Sequence, residues 1–214
     1  MKFSDETLSI LKNFSGINPS IMFKPGTVLR TISPQKTVMA AATIDEDIGS
    51  PAAVYDLSRF LSTLSLFDNP EIQFGEDKFT VTSGRSRVSY TYASESMIIT
   101  PPDKDIQVPN PEATISVEWS DIQSVIRAAG VLQLGEIAFR CDGTTISMAA
   151  VDSKNPTADN YSVDVGEGDT QFDMIIKVEN LRLLPDDYII ALSSKGMAHF
   201  KSNKVQYWIA LQSQ

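Results

Sequence analysis

The chain states one plan twice, on either side of a proline-rich break, and this duplication restricts what it can fold into more than any other feature. The segment from Thr100 to Pro111 holds four of the eleven prolines and shows no helical period, so it reads as an extended linker. Each flanking half opens on an amphipathic helix. Asp5–Phe14 carries Leu8, Leu11 and Phe14 at helical spacing, and Trp119–Ala129 carries Trp119, Ile122, Val125 and Ile126. Apolar strands of similar wording follow, Thr37–Ala41 in the first half and Thr145–Ala150 in the second. A second helix comes next in each: Asp56–Leu66 with Leu57, Phe60, Leu61 and Leu64 inward, and the shorter Val178–Leu184 with Val178, Leu181 and Leu184. Closing strands complete both halves, Lys78–Thr82 with Arg87–Ala93, then Tyr188–Ser193 with Val205–Leu211. The expectation is α+β: two tandem domains, residues 1–100 and 113–214, joined by a linker at 101–112, with helices on one face of antiparallel sheets.

The side chains that could do chemistry are few and scattered. The only histidine, His199, stands in Met197–Phe200 between two expected strands and has no second histidine with which to share a metal. Cys141 precedes the turn signal Asp142-Gly143 with no basic neighbour to make a thiolate, and as the sole cysteine it allows no intrachain disulfide and no thiolate metal cage. The carboxylate groups Asp45–Asp47 and Asp186–Asp187 sit beside glycine or proline and read as solvated turns. Gly166–Asp169 is too acidic to cradle a phosphate, and no nucleotide-binding or nucleophile-elbow motif occurs. The expectation is a protein that is not an enzyme and carries no metal or cofactor. No apolar run approaches the roughly 20 residues that span a bilayer, and Met1–Ile10 holds Asp5 and Glu6 where a signal peptide is basic and apolar, so a cytoplasmic location is expected and no membrane partner.

A formal net charge of −9 argues against a protein coated over its whole surface with nucleic acid, but not against a local basic face. In the four expected helices the acids fall near the opening turn: Asp5 and Glu6, Asp56, Glu118 and Asp121, then Glu179. The charges beyond it are Lys12, Arg59, Arg127 and Arg182, all cationic. Complementarity to the helix macrodipole explains such a pattern without any ligand. The competing reading is a sparse cationic face suited to loose phosphate contact without base readout.

Several stretches resemble the sliding clamps of T-even-like bacteriophages: Leu11–Asn18 followed by Ile21 and Met22, Val54–Leu61 running into Leu64–Leu66, Pro185–Leu192, and the terminal Tyr207–Leu211. From about Phe67 to Lys177 the likeness rests on pattern, and the linker and the loops around Asn155–Asp169 depart from the family. The resemblance implies two clamp-type domains per chain in the DNA clamp fold and a ring of three chains. Helices would line the hole around duplex DNA and sheets would form the outer wall. It also implies an ATP-dependent clamp loader and a pocket near the linker for the C-terminal peptide of a DNA polymerase, with the host cell's cytoplasm as location if the chain is phage-encoded. On this reading Lys12, Arg59, Arg127 and Arg182 face DNA. Ile106 and Val108 join Trp208 and Ala210 in the peptide pocket. The strands Arg87–Ala93, with Tyr90 and Tyr92 on one face, and Asn160–Val165, with Tyr161, Val163 and Val165, supply the edges that pair between subunits. The alternative is a β-rich structural or assembly protein of a phage, which would show no dependence on DNA topology.

Overall fold

The computed structural model describes residues 1–155 and 157–212, in two compact units, Met1–Asp103 and Lys104–Gln214. The first unit runs α1 (Asp5–Ile17), β1 (Ile21–Phe23), β2 (Gly26–Ile32), β3 (Val38–Ile48), β4 (Ala52–Val54), α2 (Leu57–Leu64), β5 (Glu71–Phe74), β6 (Lys78–Ser83) and β7 (Ser86–Thr91). The helix α1 forms because Ile10, Leu11, Phe14 and Ile17 make one buried stripe and Ser4 caps its start, the hydroxyl accepting the Thr7 N–H at 3.2 Å. Asp56 caps α2 in the same way, accepting the Arg59 N–H at 2.8 Å. The two helices pack against each other, β1 pairs with β4, β2 with β3, and β5, β6 and β7 form a three-stranded antiparallel sheet in that order. Gly84 opens the two-residue β6–β7 turn with φ +57°, a left-handed conformation that glycine adopts without strain.

The second unit runs β8 (Ala113–Val117), α3 (Trp119–Leu132), β9 (Glu136–Cys141), β10 (Thr145–Val151), β11 (Tyr161–Glu167), β12 (Phe172–Lys177), β13 (Tyr188–Ser193), β14 (Met197–Lys201) and β15 (Val205–Ala210). One four-stranded antiparallel sheet is ordered β11-β10-β9-β12, with α3 packed against its β9, β10 and β11 strands. In the other, β13 pairs on one side with β8 and on the other with β14, which pairs with β15. The segment after Lys104 lies on this second sheet: the Trp208 indole N–H donates to the Ile106 carbonyl at 2.8 Å, Ser193 Oγ to the Pro109 carbonyl at 2.6 Å, and the Glu112 N–H to the Leu192 carbonyl at 2.9 Å.

Four expectations are corrected. The second unit opens on a strand, β8, where Ile115 and Val117 are buried and Thr114 and Ser116 exposed in the alternation of period two. His199 lies within a strand, β14, and not between two. Asp45–Asp47 belongs to β3 and not to a loop. The fourth helix is absent: Val178–Asn180 makes a single 3₁₀ turn. Its seven expected residues are too few to offset the cost of nucleating a helix, and two tyrosines take the backbone groups instead. Tyr207 Oη accepts the Leu184 N–H at 3.1 Å, and Tyr188 Oη donates to the Leu184 carbonyl at 2.6 Å.

Glu46 shows why an acid stands inside β3. Its carboxylate accepts the Thr7 hydroxyl at 2.6 Å and the Ser4 N–H, tying β3 to the start of α1. Partial burial pushes this carboxyl up, but the hydrogen bonds from Thr7 and Ser4 outweigh it and hold the pKa below the ordinary glutamate value. The pKa is depressed in the folded chain, so the stabilisation is present above the unfolded value and is lost as pH falls through the folded one. Glu46→Gln is therefore expected to cost about 1–2 kcal/mol at neutral pH. It should cost progressively less below about pH 4.3, the ordinary glutamate value. Urea melts of both chains at pH 7 and pH 3 check this, and a difference that does not shrink at acid pH refutes it.

Candidate nucleic-acid and subunit interfaces

The structure separates the two explanations of the helix charges. Acids do gather where the macrodipole favours them: Asp5 and Glu6 in the first turn of α1, Asp121 in that of α3, and Asp56 at the cap of α2. None of the three helices has a basic residue in its last turn. Lys12 and Arg127 stand in helix interiors with exposed side chains, outside the terminal turns to which a dipole effect reaches, while exposed Arg59 is the third residue of α2, in a first turn where the dipole disfavours a cation. The dipole thus accounts for the acids and leaves the cations unexplained. Arg127 Nη2 donates to Gln123 Oε1 at 3.2 Å, one helical turn back. Arg182, expected on a helix, lies in the irregular segment after the 3₁₀ turn, exposed, its Nε donating to the Glu179 carbonyl at 3.1 Å. In the first unit Lys12 borders a groove between α1 and α2, floored by Leu8, Leu61 and Phe67 and rimmed by the hydroxyls of Ser15, Ser58 and Ser62.

The four residues expected around a peptide pocket meet only in part. Trp208 is 3% exposed, its indole stacked on His199 at 4.8 Å and bonded to the Ile106 carbonyl, so it is covered by its own unit. Ile106, Val108 and Ala210 are half-buried. A polar chain continues from the stack, His199 Nε2 to Gln206 Oε1 at 3.1 Å and Gln206 Nε2 to Asp105 Oδ2 at 2.7 Å. Burial lowers the His199 pKa more than the Gln206 bond raises it, which keeps the ring neutral at physiological pH.

The two candidate edge strands have a definite hydrogen-bonding direction. The Gly75 N–H donates to the Lys78 carbonyl and the Tyr92 N–H to the Asp77 carbonyl, both at 2.9 Å, which sets the alternation across β5, β6 and β7. By that alternation Ser86, Val88 and Tyr90 bond inward to β6, while Arg87, Ser89 and Thr91 turn their backbone groups outward. In the second unit the Gly168 N–H reaches the Thr144 carbonyl at 3.0 Å and the Val178 N–H the Gly135 carbonyl at 2.9 Å. Tyr161 and Val163 then bond inward to β10, and Ser162 and Asp164 turn outward. The far edge of each sheet is covered by a chain end. Met1 exchanges both backbone bonds with Ile72 on β5, and the Gln212 N–H donates to the Ile175 carbonyl on β12 at 2.8 Å. Among the described residues no chain end covers β7 or β11, but the Ala93 N–H at the end of the first candidate strand donates to the Ala53 carbonyl on β4 at 2.9 Å, so the outward row of that strand is open from Arg87 to Thr91. The side chains of Tyr90 and Tyr92 turn to the core: Tyr90 lies 5.5 Å from Phe79 and 5.9 Å from Phe60, and Tyr92 lies 5.0 Å from Phe79. Burial raises the pKa of both phenols. A backbone edge, unlike an apolar patch, leaves no compositional trace, so sequence reasoning singled out these strands by their tyrosines and passed over the outward-turned Arg87, Ser89, Ser162 and Asp164.

Solved structures share this arrangement of strands and helices. PCNA of A. fulgidus, in a structure bound to the C-terminal region of FEN-1, superposes with a TM-score of 0.71 at 14% identity, over 97% of this chain and 95% of that one. The DNA polymerase III beta subunit of Pseudomonas aeruginosa gives 0.71 at 14% identity, over 98% of this chain and 63% of that one. These likenesses define the class of fold, the DNA clamp. The family follows from the sequence comparisons. Residues 4–100 match the DNA polymerase processivity factor model and residues 114–213 the C-terminal model of the gp45 sliding clamp. The sliding clamp of Vibrio phage KVP40 is 31% identical over the full length of both chains, and that of Enterobacteria phage T4 32% identical over all of this chain and 97% of its own. The chain belongs to the phage sliding clamps, the polymerase processivity factors.

Proposed function

We propose that three copies of this chain close into a ring around duplex DNA and slide on it, holding a DNA polymerase by its C-terminal peptide after an ATP-dependent clamp loader has opened the ring. The reading carries no catalytic step. The observation that supports it best is the set of exposed cations on the helices, Lys12, Arg59 and Arg127, in a chain with net charge −9, joined by exposed Arg182. Such charges attract phosphates through counterion release without reading bases, while an acidic remainder repels DNA elsewhere. A weak, sequence-independent attraction is what lets a ring move along the duplex. The edge strands β7 and β11, one in each unit, are the proposed source of the other requirement, a head-to-tail contact that can close on itself. Ile106, Val108 and Ala210 are the proposed floor for the polymerase peptide. Trp208 contributes by fixing the Ile106 backbone and not by open contact. The A. fulgidus PCNA structure, with a bound C-terminal region, supports peptide capture as a use of this fold.

The test is glutamine at Lys12, Arg59, Arg127 and Arg182 together. Stability is expected to change by no more than about 0.5 kcal/mol per site, since these are exposed charges. Retention on nicked circular DNA should fall, with the log–log salt slope reduced by at most about 0.9 for each phosphate no longer neutralised. Topology supplies the control: the parent should stay on circles and leave linear DNA. A quadruple variant that loads and slides like the parent at every salt concentration would remove these residues from the DNA face.

A further inference from the structure

Three side chains on one face of the second unit hold the start of the linker. Gln206, Trp208 and Ala210 alternate onto that face of β15, and His199 stands directly opposite Trp208 on β14, the two rings stacked at 4.8 Å and 14°. Trp208 bonds the Ile106 carbonyl and Gln206 Nε2 bonds Asp105 Oδ2 at 2.7 Å, so two consecutive linker residues are tied down. The far end of the linker is tied separately, at Pro109 by Ser193 Oγ and at Glu112 by the Leu192 carbonyl and the Ser194 N–H. Gln107 and Val108 lie between the two sets of ties. The orientation of the Gln206 amide is fixed by its neighbours. An ionised carboxylate accepts and does not donate, so the amide must turn its NH2 group to Asp105. Its Oε1 then faces His199 Nε2 at 3.1 Å, and that nitrogen must carry the ring proton. A neutral amide can donate on one side and accept on the other; an ionised glutamate cannot donate, and a lysine cannot accept.

From this geometry we infer that Gln206 is the positioning residue of the peptide floor: by joining His199 to Asp105 it holds the linker against β15, so that Ile106 and Val108 are set in place before a polymerase peptide arrives. The inference rests on the peptide reading above and deepens it. Gln206 acts through the linker and not by touching the peptide. The Trp208 tie holds one carbonyl; the Gln206 tie adds a second point one residue earlier, and two points fix the direction of the chain where one leaves it free to turn. The bond to Gln206 also holds the His199 ring in the plane on which the Trp208 indole lies. The physical gain is preorganisation. A loose linker has to be ordered at the moment of binding, and that cost is subtracted from the affinity. The charged groups that act on His199 are Lys201 on its own strand and Asp105 on the linker, while Ala191, opposite it on β13, carries no charge.

Lys104 is the one basic residue between Arg87 and Arg127, and it is exposed, so trypsin reports on the start of the linker by cutting after it. Gln206→Ala in the full-length chain should be cut there at least about fivefold faster than the parent, with cutting elsewhere and the melting temperature unchanged, since local opening governs such cleavage. A dye-labelled synthetic peptide of the cognate polymerase's C-terminal residues, followed by fluorescence anisotropy, should bind the same variant about tenfold more weakly, the cost of ordering roughly one residue on binding. Gln206→Glu separates positioning from packing. The new carboxylate repels Asp105 and raises the His199 pKa, so the deficit in peptide affinity against the parent should be large at pH 8 and shrink toward pH 6, where the imidazolium neutralises that carboxylate. A Gln206→Ala chain cut no faster at Lys104, or one cut faster that binds the peptide like the parent, overturns the positioning role. An equal deficit of Gln206→Glu at both pH values overturns the relay through His199. A parent chain that binds no peptide, while Gln206→Ala is still cut faster at Lys104, defeats the peptide reading itself, an outcome distinct from these.

Discussion

Replacing Phe79 by alanine should lower the stability of the first unit by about 3–5 kcal/mol, the cost of removing a fully buried aromatic ring that its neighbours cannot collapse around. Phe79 is fully buried on β6, with ring centroids at 4.7 Å from Phe60, 5.0 Å from Tyr92, 5.4 Å from Phe74 and 5.5 Å from Tyr90. It joins α2 to both neighbouring strands of the three-stranded sheet, so no flexible side chain is placed to fill the void. Leu66→Ala is the matched control, because Leu66 is 73% exposed and its loss should stay within about 0.5 kcal/mol. The Phe79→Ala change should also weaken assembly at fixed concentration, since Tyr90 and Tyr92 lose the ring that holds β7 in its plane. Denaturant midpoints with sedimentation on the same samples check both expectations. A Phe79 variant that melts within about 1 kcal/mol of the parent would mean that the aromatic cluster is not what supports β7.

Proline placed at two adjacent positions of β7 should give opposite results. At Tyr90 it removes an N–H that bonds to Phe79 and breaks the β6–β7 ladder from within, so the first unit should lose roughly 3 kcal/mol or more. At Ser89 the lost N–H faces outward, where edge strands tolerate proline, so the folded monomer should survive with a melting transition close to the parent's. If β7 closes the proposed ring, assembly should fail in that second case, because a backbone donor of the intersubunit ladder would be gone and the pyrrolidine ring would stand where the neighbouring strand must approach. Circular dichroism melts together with light scattering separate the two effects. A Ser89→Pro chain that assembles like the parent would show that β7 is not the closing edge.

The sequence carried the local plan because local physics wrote it there. The stripe Leu8, Leu11 and Phe14 is enough to predict a helix from Asp5, which α1 continues to Ile17, and the run Tyr188–Ser193 expected as a strand is β13 to the residue. The chain divides into two compact units, Met1–Asp103 and Lys104–Gln214, and the wording of a few segments was enough to suggest the family. Other features could be decided only by contacts between residues distant in sequence. Val178–Leu184 has the spacing of a helix, yet the backbone groups of Leu184 are taken by the hydroxyls of Tyr188 and Tyr207, which no local pattern reveals. Glu46 looks like one acid of a solvated cluster until the fold sets it against Ser4 and Thr7, about forty residues away. Trp208 looks like a pocket wall until the fold covers it with His199 and Ile106. The free edges depend on tertiary structure most of all. Any strand has two rows of backbone groups, and the covering of β5 by Met1 and of β12 by Gln212 is what leaves β7 and β11 as the open edges of the three-stranded and four-stranded sheets.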